Sequence, residues 1–215
     1  MSEARPYVII NCAMSADGKL ALPIRKQTKI SSKEDMDRVY RLRSECDAVI
    51  VGVGTILADN PGLVVKFHGK LAEKQPLRVV LDTHGRTPDD SEVLDDRAPT
   101  LIAVGEGTQK QWERAETVVC GRNRVDLNKL LSVLYERGIK KVLVEGGGET
   151  LWSFLSLKLV DEMTVFVGCM IIGGADSPTM ADGPGARTPE EIIGLELIDS
   201  RQMDGGILLH YKLRD

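Results

Sequence analysis

The chain has 215 residues, 42% of them hydrophobic and 28% charged, with a formal net charge of −4. These are values of a globular chain long enough to bury a core without disulfides or metals. The negative balance excludes the global basic field that holds nucleic acid, so any bound anion must be gripped by a local cluster of donors.

The four cysteines, Cys12, Cys46, Cys120 and Cys169, and the three histidines are scattered without the paired spacing of a zinc site. Three of the cysteines lie beside apolar runs and are expected as buried free thiols. The N-terminus lacks the apolar stretch of a leader, and no window approaches the ~20 apolar residues of a membrane helix. A cytoplasmic protein is expected, with no metal, no membrane and no nucleic acid among its partners.

In chain order, the first strand is expected over Tyr7–Ile10. It runs into Asn11-Cys12-Ala13-Met14-Ser15-Ala16-Asp17-Gly18-Lys19, small and turn-forming residues with a tight turn at Asp17-Gly18. Such a loop lies against a planar ligand or forms a plain surface turn. Ser31-Ser32-Lys33-Glu34 is a capping-box pattern with Ser31 as the cap, opening a helix with Met36, Val39 and Tyr40 on one face. Arg25, Lys26 and Lys29 precede that helix and Arg41 and Arg43 lie on it; such residues are phosphate ligands or simply solvated charges.

A second strand, Ala48–Val51, meets Gly52-Val53-Gly54-Thr55, and the run ends at Asp59-Asn60-Pro61. The pattern predicts one short helical turn stopped by Pro61, with Thr55 and Asp59 on one face. Both side chains can bond to a ribose or an amide, and a capped structural turn fits equally. Leu63-Val64-Val65 then leads to Lys66. Strands Val79–Leu81, Thr100–Val104 and Thr117–Cys120 follow, several of them continuously apolar, as strands covered on both faces are. Arg122 and Arg124, just beyond, are candidates for a 2′-phosphate that would favour NADP over NAD.

Asp126 caps a helix whose Leu127, Leu130, Leu131 and Leu134 fall at i, i+3, i+4 and i+7, and Gly138 ends it. Strand Val142–Val144 runs into Glu145-Gly146-Gly147-Gly148 and a helix carrying Leu151, Phe154 and Leu155. Glycines let a ligand approach the backbone amides, and a helix start suits phosphate. The spacing is neither a Walker loop nor G-x-G-x-x-G, and a tight structural turn is the alternative. Glu145 sits at the carboxyl end of its strand, where open α/β sheets place their sites. After strand Thr164–Val167 comes an irregular Pro-, Gly- and Asp-rich loop over Asp176–Pro189. A C-terminal hairpin follows, formed by Leu195–Ile198 and Gly206–Tyr211 around Met203–Gly205. The histidines carry no assigned role. The alternation predicts one α/β domain over residues 1–215, a central, mostly parallel mixed sheet flanked by helices.

Four ordered motifs together resemble a known family. Asn-x-x-x-Ser-x-Asp-Gly-Lys (Asn11 to Lys19), Gly-x-Gly-Thr-x-x-x-Asp-Asn-Pro (Gly52 to Pro61), Arg-Val-Val-Leu-Asp (Arg78 to Asp82) and Leu-x-Glu-Gly-Gly-Gly (Leu143 to Gly148) are similar to the riboflavin-pathway reductases. These include the reductase domain of the bacterial bifunctional deaminase-reductase and, more similar still, the stand-alone archaeal reductases. The likeness runs from about Tyr7 to Tyr211. It implies a dihydrofolate-reductase-like fold, a homodimer, and reduction of the ribosylamino chain of a phosphorylated diaminopyrimidine by NADPH, with NADH as the alternative donor. Carried over by position, it implies that Ala13, Lys29, Thr55, Asp59, Thr83, Gly146, Gly147, Gly148 and Glu149 meet the cofactor. Arg43, Leu63, Lys66 and Glu145 would face the substrate, with Glu145 the catalytic candidate. Lys66 stands where the bacterial domain carries arginine, and Lys29 where it has an aromatic residue. The deaminase signature, His-x-Glu with Pro-Cys-x-x-Cys, does not occur in this sequence.

On this reading the Thr55–Asp59 and Glu145–Gly148 loops are expected to converge on one crevice. Two other functions share the pattern: a pterin or folate reductase of the same fold, and a nucleotide-binding module without turnover.

Overall fold

A computed structural model describes residues 4–24 and 28–214. The elements in chain order are β1 (Tyr7–Ser15), α1 (Lys33–Ser44), β2 (Ala48–Gly52), α2 (Val53–Asp59), β3 (Lys66–Phe67), β4 (Lys70–Leu71), β5 (Leu77–Leu81), β6 (Thr100–Val104) and β7 (Glu116–Val119). They continue with α3 (Leu127–Glu136), β8 (Lys141–Val144), α4 (Gly148–Ser156), β9 (Glu162–Gly168), β10 (Leu195–Met203) and β11 (Gly206–Leu213). The chain divides into two compact units, one formed by Met1–Tyr7 and Tyr40–Leu143, the other by Val8–Val39 and Val144–Asp215.

The first unit holds a parallel sheet in which β2 pairs with β5, β5 with β6 and β6 with β7. All five residues of β6 are buried, so the continuous apolar run of Thr100–Val104 follows from cover on both faces. Helix α3 buries Leu127, Leu130, Leu131 and Leu134, the stripe its spacing predicts. Each such leucine contributes roughly 1.5–3 kcal/mol by leaving water. The Asp126 carboxylate accepts from the amides of Asn128 (3.0 Å) and Lys129 (3.2 Å), and Gly138 closes the helix at φ +85°. Val51, Val53, Ile56, Leu63, Val80, Val93 and Trp112 belong to one buried cluster.

In the second unit β1 pairs with β9 in parallel, β9 with β11 antiparallel, and β11 with β10 antiparallel. This unit's strands form a mixed arrangement, with the expected C-terminal hairpin at its end. The hairpin is longer than its apolar runs suggest, because Met203 already pairs with Gly206 and the turn is Asp204-Gly205 alone.

Three local expectations are corrected. β1 does not stop at Ile10 but continues to Ser15, in register with Thr164 to Gly168 of β9. The polar Asn11 is tolerated there because its side-chain oxygen accepts from Arg38 Nη2 (2.7 Å) and Thr164 Oγ1 (3.0 Å). The cap of α1 is Ser32 rather than Ser31: the Ser32 hydroxyl accepts from the Asp35 amide at 3.1 Å. The Glu34 carboxylate, expected to close the box, instead accepts from the Asp204 amide at 2.9 Å. Finally, α2 spans seven residues rather than one turn, and Asn60 ends it in the left-handed conformation at φ +44°.

Candidate active site

In the first unit the strand ends carry the candidate residues. Thr55 and Asp59 lie one turn apart on α2, both half-buried. Among the described residues, no atom lies within 4 Å of where a Cβ on Gly54 would stand, so this first turn leaves room against its backbone. Beyond Pro61 the chain places Leu63 at φ +51° with its side chain 4% exposed in the core. Any contact Leu63 makes with a ligand therefore runs through its backbone, not its side chain. Lys66, half-buried, opens a small hairpin, β3–β4, turned by His68-Gly69, both at positive φ.

The Arg43 guanidinium donates to the Val64 carbonyl (3.3 Å) and lies 5.9 Å from the Tyr40 ring centroid, on the same stretch as Leu63 and Lys66. Thr83 follows β5, and its hydroxyl accepts from the Val125 amide (3.2 Å). Its carbonyl accepts from the Gly105 amide and the Thr108 hydroxyl (2.9 Å). The strand end is thus held as a closed knot of loops. Arg122, one of the expected 2′-phosphate ligands, pairs with Glu106 at 3.0 Å while 82% exposed, and Arg124 is exposed too. Such surface pairs are worth roughly 0–1 kcal/mol and give way readily to a competing anion.

In the second unit Ala13 is a half-buried strand residue packed against the Ile30, Phe166 and Met203 cluster. Lys29 is exposed; Arg25 and Lys26 lie outside the described residues. Cys12 is fully enclosed, and burial pushes its thiol up to about 12, so it is inert. Cys46 and Cys120 are also buried and Cys169 is exposed, all four as free thiols.

Asp17 organises the turn after β1. Its carboxylate accepts from Ser15 Oγ (2.6 Å), the Ile172 amide (3.0 Å) and the Gly173 amide (2.7 Å). These bonds, the Ser15 hydroxyl first, lower its pKa to about 2. Lys19 and Leu20 continue onto the irregular loop, Lys19 bridging Thr179 and the Leu20 amide donating to Pro178 (2.8 Å). The same loop then reaches α4. A Cβ on Gly148 would collide with the Thr179 carbonyl oxygen and stand 2.7 Å from the Asp182 carboxylate. Asp182 in turn accepts from the Thr179 amide (3.0 Å) and hydroxyl (2.6 Å). The stretch expected to be merely irregular is a strap that joins the β1 turn to the start of α4.

Gly148 is buried beneath that strap, whereas Gly147 is exposed and Gly146 and Glu145 are half-buried. The missing side chain at Gly148 serves packing; the open backbone belongs to Gly146 and Gly147. Glu149 is exposed in the first turn of α4.

Sequence reasoning missed two anchors. Asp17 entered only as a turn former, although Ser-x-Asp-Gly is also a local carboxylate-turn signal. Arg78 entered only as a motif letter, and an arginine inside an apolar strand was the available signal. It is fully buried beside Asp95. Burial opposes the charge on Asp95, but hydrogen bonds from Arg78 and Arg97 overcome it and hold the carboxyl below its ordinary range.

With these positions in place, the chain can be compared with known proteins. The profile of the RibD C-terminal domain matches residues 6–209. The chain belongs to this family. It is 42% identical to the 2,5-diamino-6-ribosylamino-4(3H)-pyrimidinone 5′-phosphate reductase of Methanothermobacter thermautotrophicus over 215 residues, 98% of this chain and 99% of that protein. It is 45% identical to the reductase of the same name from Archaeoglobus fulgidus over 192 residues, 83% of this chain and 87% of that one. Among solved structures, Acinetobacter baumannii RibD superposes with a TM-score of 0.85 at 26% identity, over 98% of this chain and 59% of that one. The Saccharomyces cerevisiae riboflavin biosynthesis reductase does so with a TM-score of 0.79 at 22% identity, over 98% and 90%, and shows the fold alone. The expected dihydrofolate-reductase-like fold is the fold found. Among the described residues no helix is long and apolar enough to cross a membrane, and no group of His, Cys, Asp or Glu could hold a metal ion.

Proposed function

We propose that this chain is a reductase that converts the ribosylamino chain of 2,5-diamino-6-(ribosylamino)-4(3H)-pyrimidinone 5′-phosphate to the ribitylamino form with NADPH, NADH being the alternative donor. The observation that carries the reading is 42% identity over 98% of this chain to a reductase of that name. One family profile spanning residues 6–209 supports a single reductase domain.

The residues present fit a dinucleotide. Gly54 leaves open space against its backbone, and Gly147 is exposed beside the half-buried Gly146 at the entry to α4. By the resemblance, Thr55, Asp59 and Thr83 of the first unit, and Ala13, Lys29, Gly146, Gly147, Gly148 and Glu149 of the second, would contact it. When bound, the dinucleotide supplies the hydride, and the chain's own work is positioning. The substrate is a glycosylamine that ring-opens to an imine at C1′ of the ribose. The chemistry the dinucleotide would supply there is two-electron reduction at that carbon, with a proton to the nitrogen, to give the open-chain amine. Glu145 would hold the sugar or the pyrimidine and is the candidate for the proton. Lys66, with Arg43 and the Leu63 backbone, binds the substrate phosphate.

Glu145→Gln decides the carboxylate's part: turnover falls far more than NADPH affinity, and equal small effects on both would remove Glu145 from catalysis. Lys66→Ala raises KM for the pyrimidine about ten- to a hundredfold, as loss of one charge-assisted contact does. Following NADPH oxidation with the pyrimidine and with dihydrofolate separates this reading from a folate reductase; binding without oxidation of either would make the chain a non-catalytic module. The chain works as a cytoplasmic homodimer, supported by Leu197 and Ile198, 54% and 44% exposed on β10. Light scattering tests the dimer.

A further inference from the structure

The segment from Asn60 to Lys66 carries Leu63 and Lys66, both assigned above to the substrate. Its backbone joins no strand before Lys66. Side chains hold most of it instead, beside one backbone bond from the Ala72 amide to the Val65 carbonyl (3.1 Å). Asn60 Oδ1 accepts from the Glu92 amide (2.8 Å), and the Gly62 carbonyl from Arg78 Nη1 (3.3 Å). The Val64 carbonyl accepts from Arg43 (3.3 Å), and the Gln75 amide brackets Val65, accepting from its N–H (2.7 Å) and donating to its carbonyl (3.0 Å). Asn60 and Leu63 both take left-handed backbone, at φ +44° and +51°. A leucine there is strained and persists only where its surroundings fix the path.

Arg78 is the centre of that fixation, and nothing in the proposed chemistry uses it. Its side chain is 0% exposed. Nε donates to Thr100 Oγ1 (2.9 Å). Nη1 donates to the carbonyls of Gly62 and Glu92 (3.3 Å each) and to Asp95 Oδ1 (2.9 Å). Nη2 donates to the carbonyls of Asp95 (2.6 Å) and Ala98. Every nitrogen of the guanidinium that bears hydrogen is engaged. An apolar side chain of the same volume would fill this site without the desolvation cost of an ion. What it would not do is grip Gly62 and the 92–98 segment at once from a core strand.

We infer that Arg78 is a positioning residue: clamped by Asp95, its guanidinium sets the backbone path from Gly62 to Lys66 and, through that path, the affinity for the phosphorylated substrate. The inference rests on the functional reading above only for its second half.

The experiment uses the full chain and two substitutions. Arg78→Lys keeps the charge and loses the fork. Asp95→Asn keeps the size and loses the counter-charge, on a side chain that is 26% exposed and so compatible with folding. Each folded variant is measured for KM, kcat, NADPH binding and amide exchange. In Asp95→Asn the KM for the pyrimidine phosphate rises about tenfold; kcat and the Kd for NADPH stay close to wild type. Exchange at Leu63, Val64 and Val65 quickens while Val79 and Val80 of β5 stay protected. Arg78→Lys shows the same pattern more strongly; if it does not fold, Asp95→Asn decides alone. A folded Asp95→Asn with lower thermal stability but unchanged exchange at 63–65 and unchanged KM would overturn the proposal. A wild-type chain that does not turn the pyrimidine over removes the functional reading and the substrate half of this inference, whereas the exchange comparison still judges the clamp.

Discussion

Two of the carboxylates that anchor backbone in this chain, Asp95 and Asp17, work in opposite ways. In the first unit Asp95 and a buried arginine fasten the Asn60–Lys66 segment from inside the core. In the second, Asp17 fastens the β1 turn to Ile172 and Gly173 from the outside, where water reaches it. A bond made to a buried ion is expensive to break, because what remains has no water to turn to. A bond made by an exposed carboxylate is cheap to break but responds to pH. Rigid parts of the fold can therefore be set by either device.

The largest effect expected from this contrast is on Arg78→Met, which strands the carbonyls of Gly62, Glu92 and Ala98. It costs about 3–5 kcal/mol in urea unfolding, and a loss under 1 kcal/mol would show that the buried network is not a stabilising clamp. Next comes Gly148→Ala. Its methyl group meets backbone at Thr179, which cannot swing aside, so about 1–3 kcal/mol is lost. Calorimetry would then read a fall of several degrees, roughly 2–4 °C per kcal/mol for a chain of this size. An unchanged midpoint would mean the strap does not bear on α4.

The smallest effect is that of Asp17→Asn, and it is the one with a pH signature. The folded-state pKa of Asp17 is about 2, below its ordinary value of 3.8, so its contribution is present above the unfolded value and lost as pH falls through the folded one. Wild type is therefore more stable than the variant at neutral pH, and the gap closes between about pH 4 and pH 2. A gap independent of acid would assign the bonds to Ser15 rather than to the charge.

The same contrast explains what the sequence disclosed. Helix α3 was legible to its last turn because cap, stripe and stop glycine are all local signals. β1 was legible only to Ile10, since Asn-Cys-Ala-Met-Ser has little strand character of its own; β9 and the Arg38 network make it strand. The capping box of α1 misled by one residue because Glu34 answers a distant amide, that of Asp204. Of the candidate site, the glycines and Thr55–Asp59 were visible as spacing. The division of labour between Gly147, exposed, and Gly148, covered by Thr179, was not, because it depends on a loop some thirty residues away.

The hairpin that begins at Lys66 is held by its approach rather than by its own side chains. Arg78, Arg43 and Gln75 seize main-chain atoms of Gly62, Val64 and Val65, and main-chain atoms are common to all sequences. Residue 66 is accordingly free to drift between lysine and arginine, and the His68-Gly69 tip to lengthen, without the scaffold being rebuilt. Selection can thus retune the rim at residue 66, proposed to meet the substrate, by single changes while its foundation stays put.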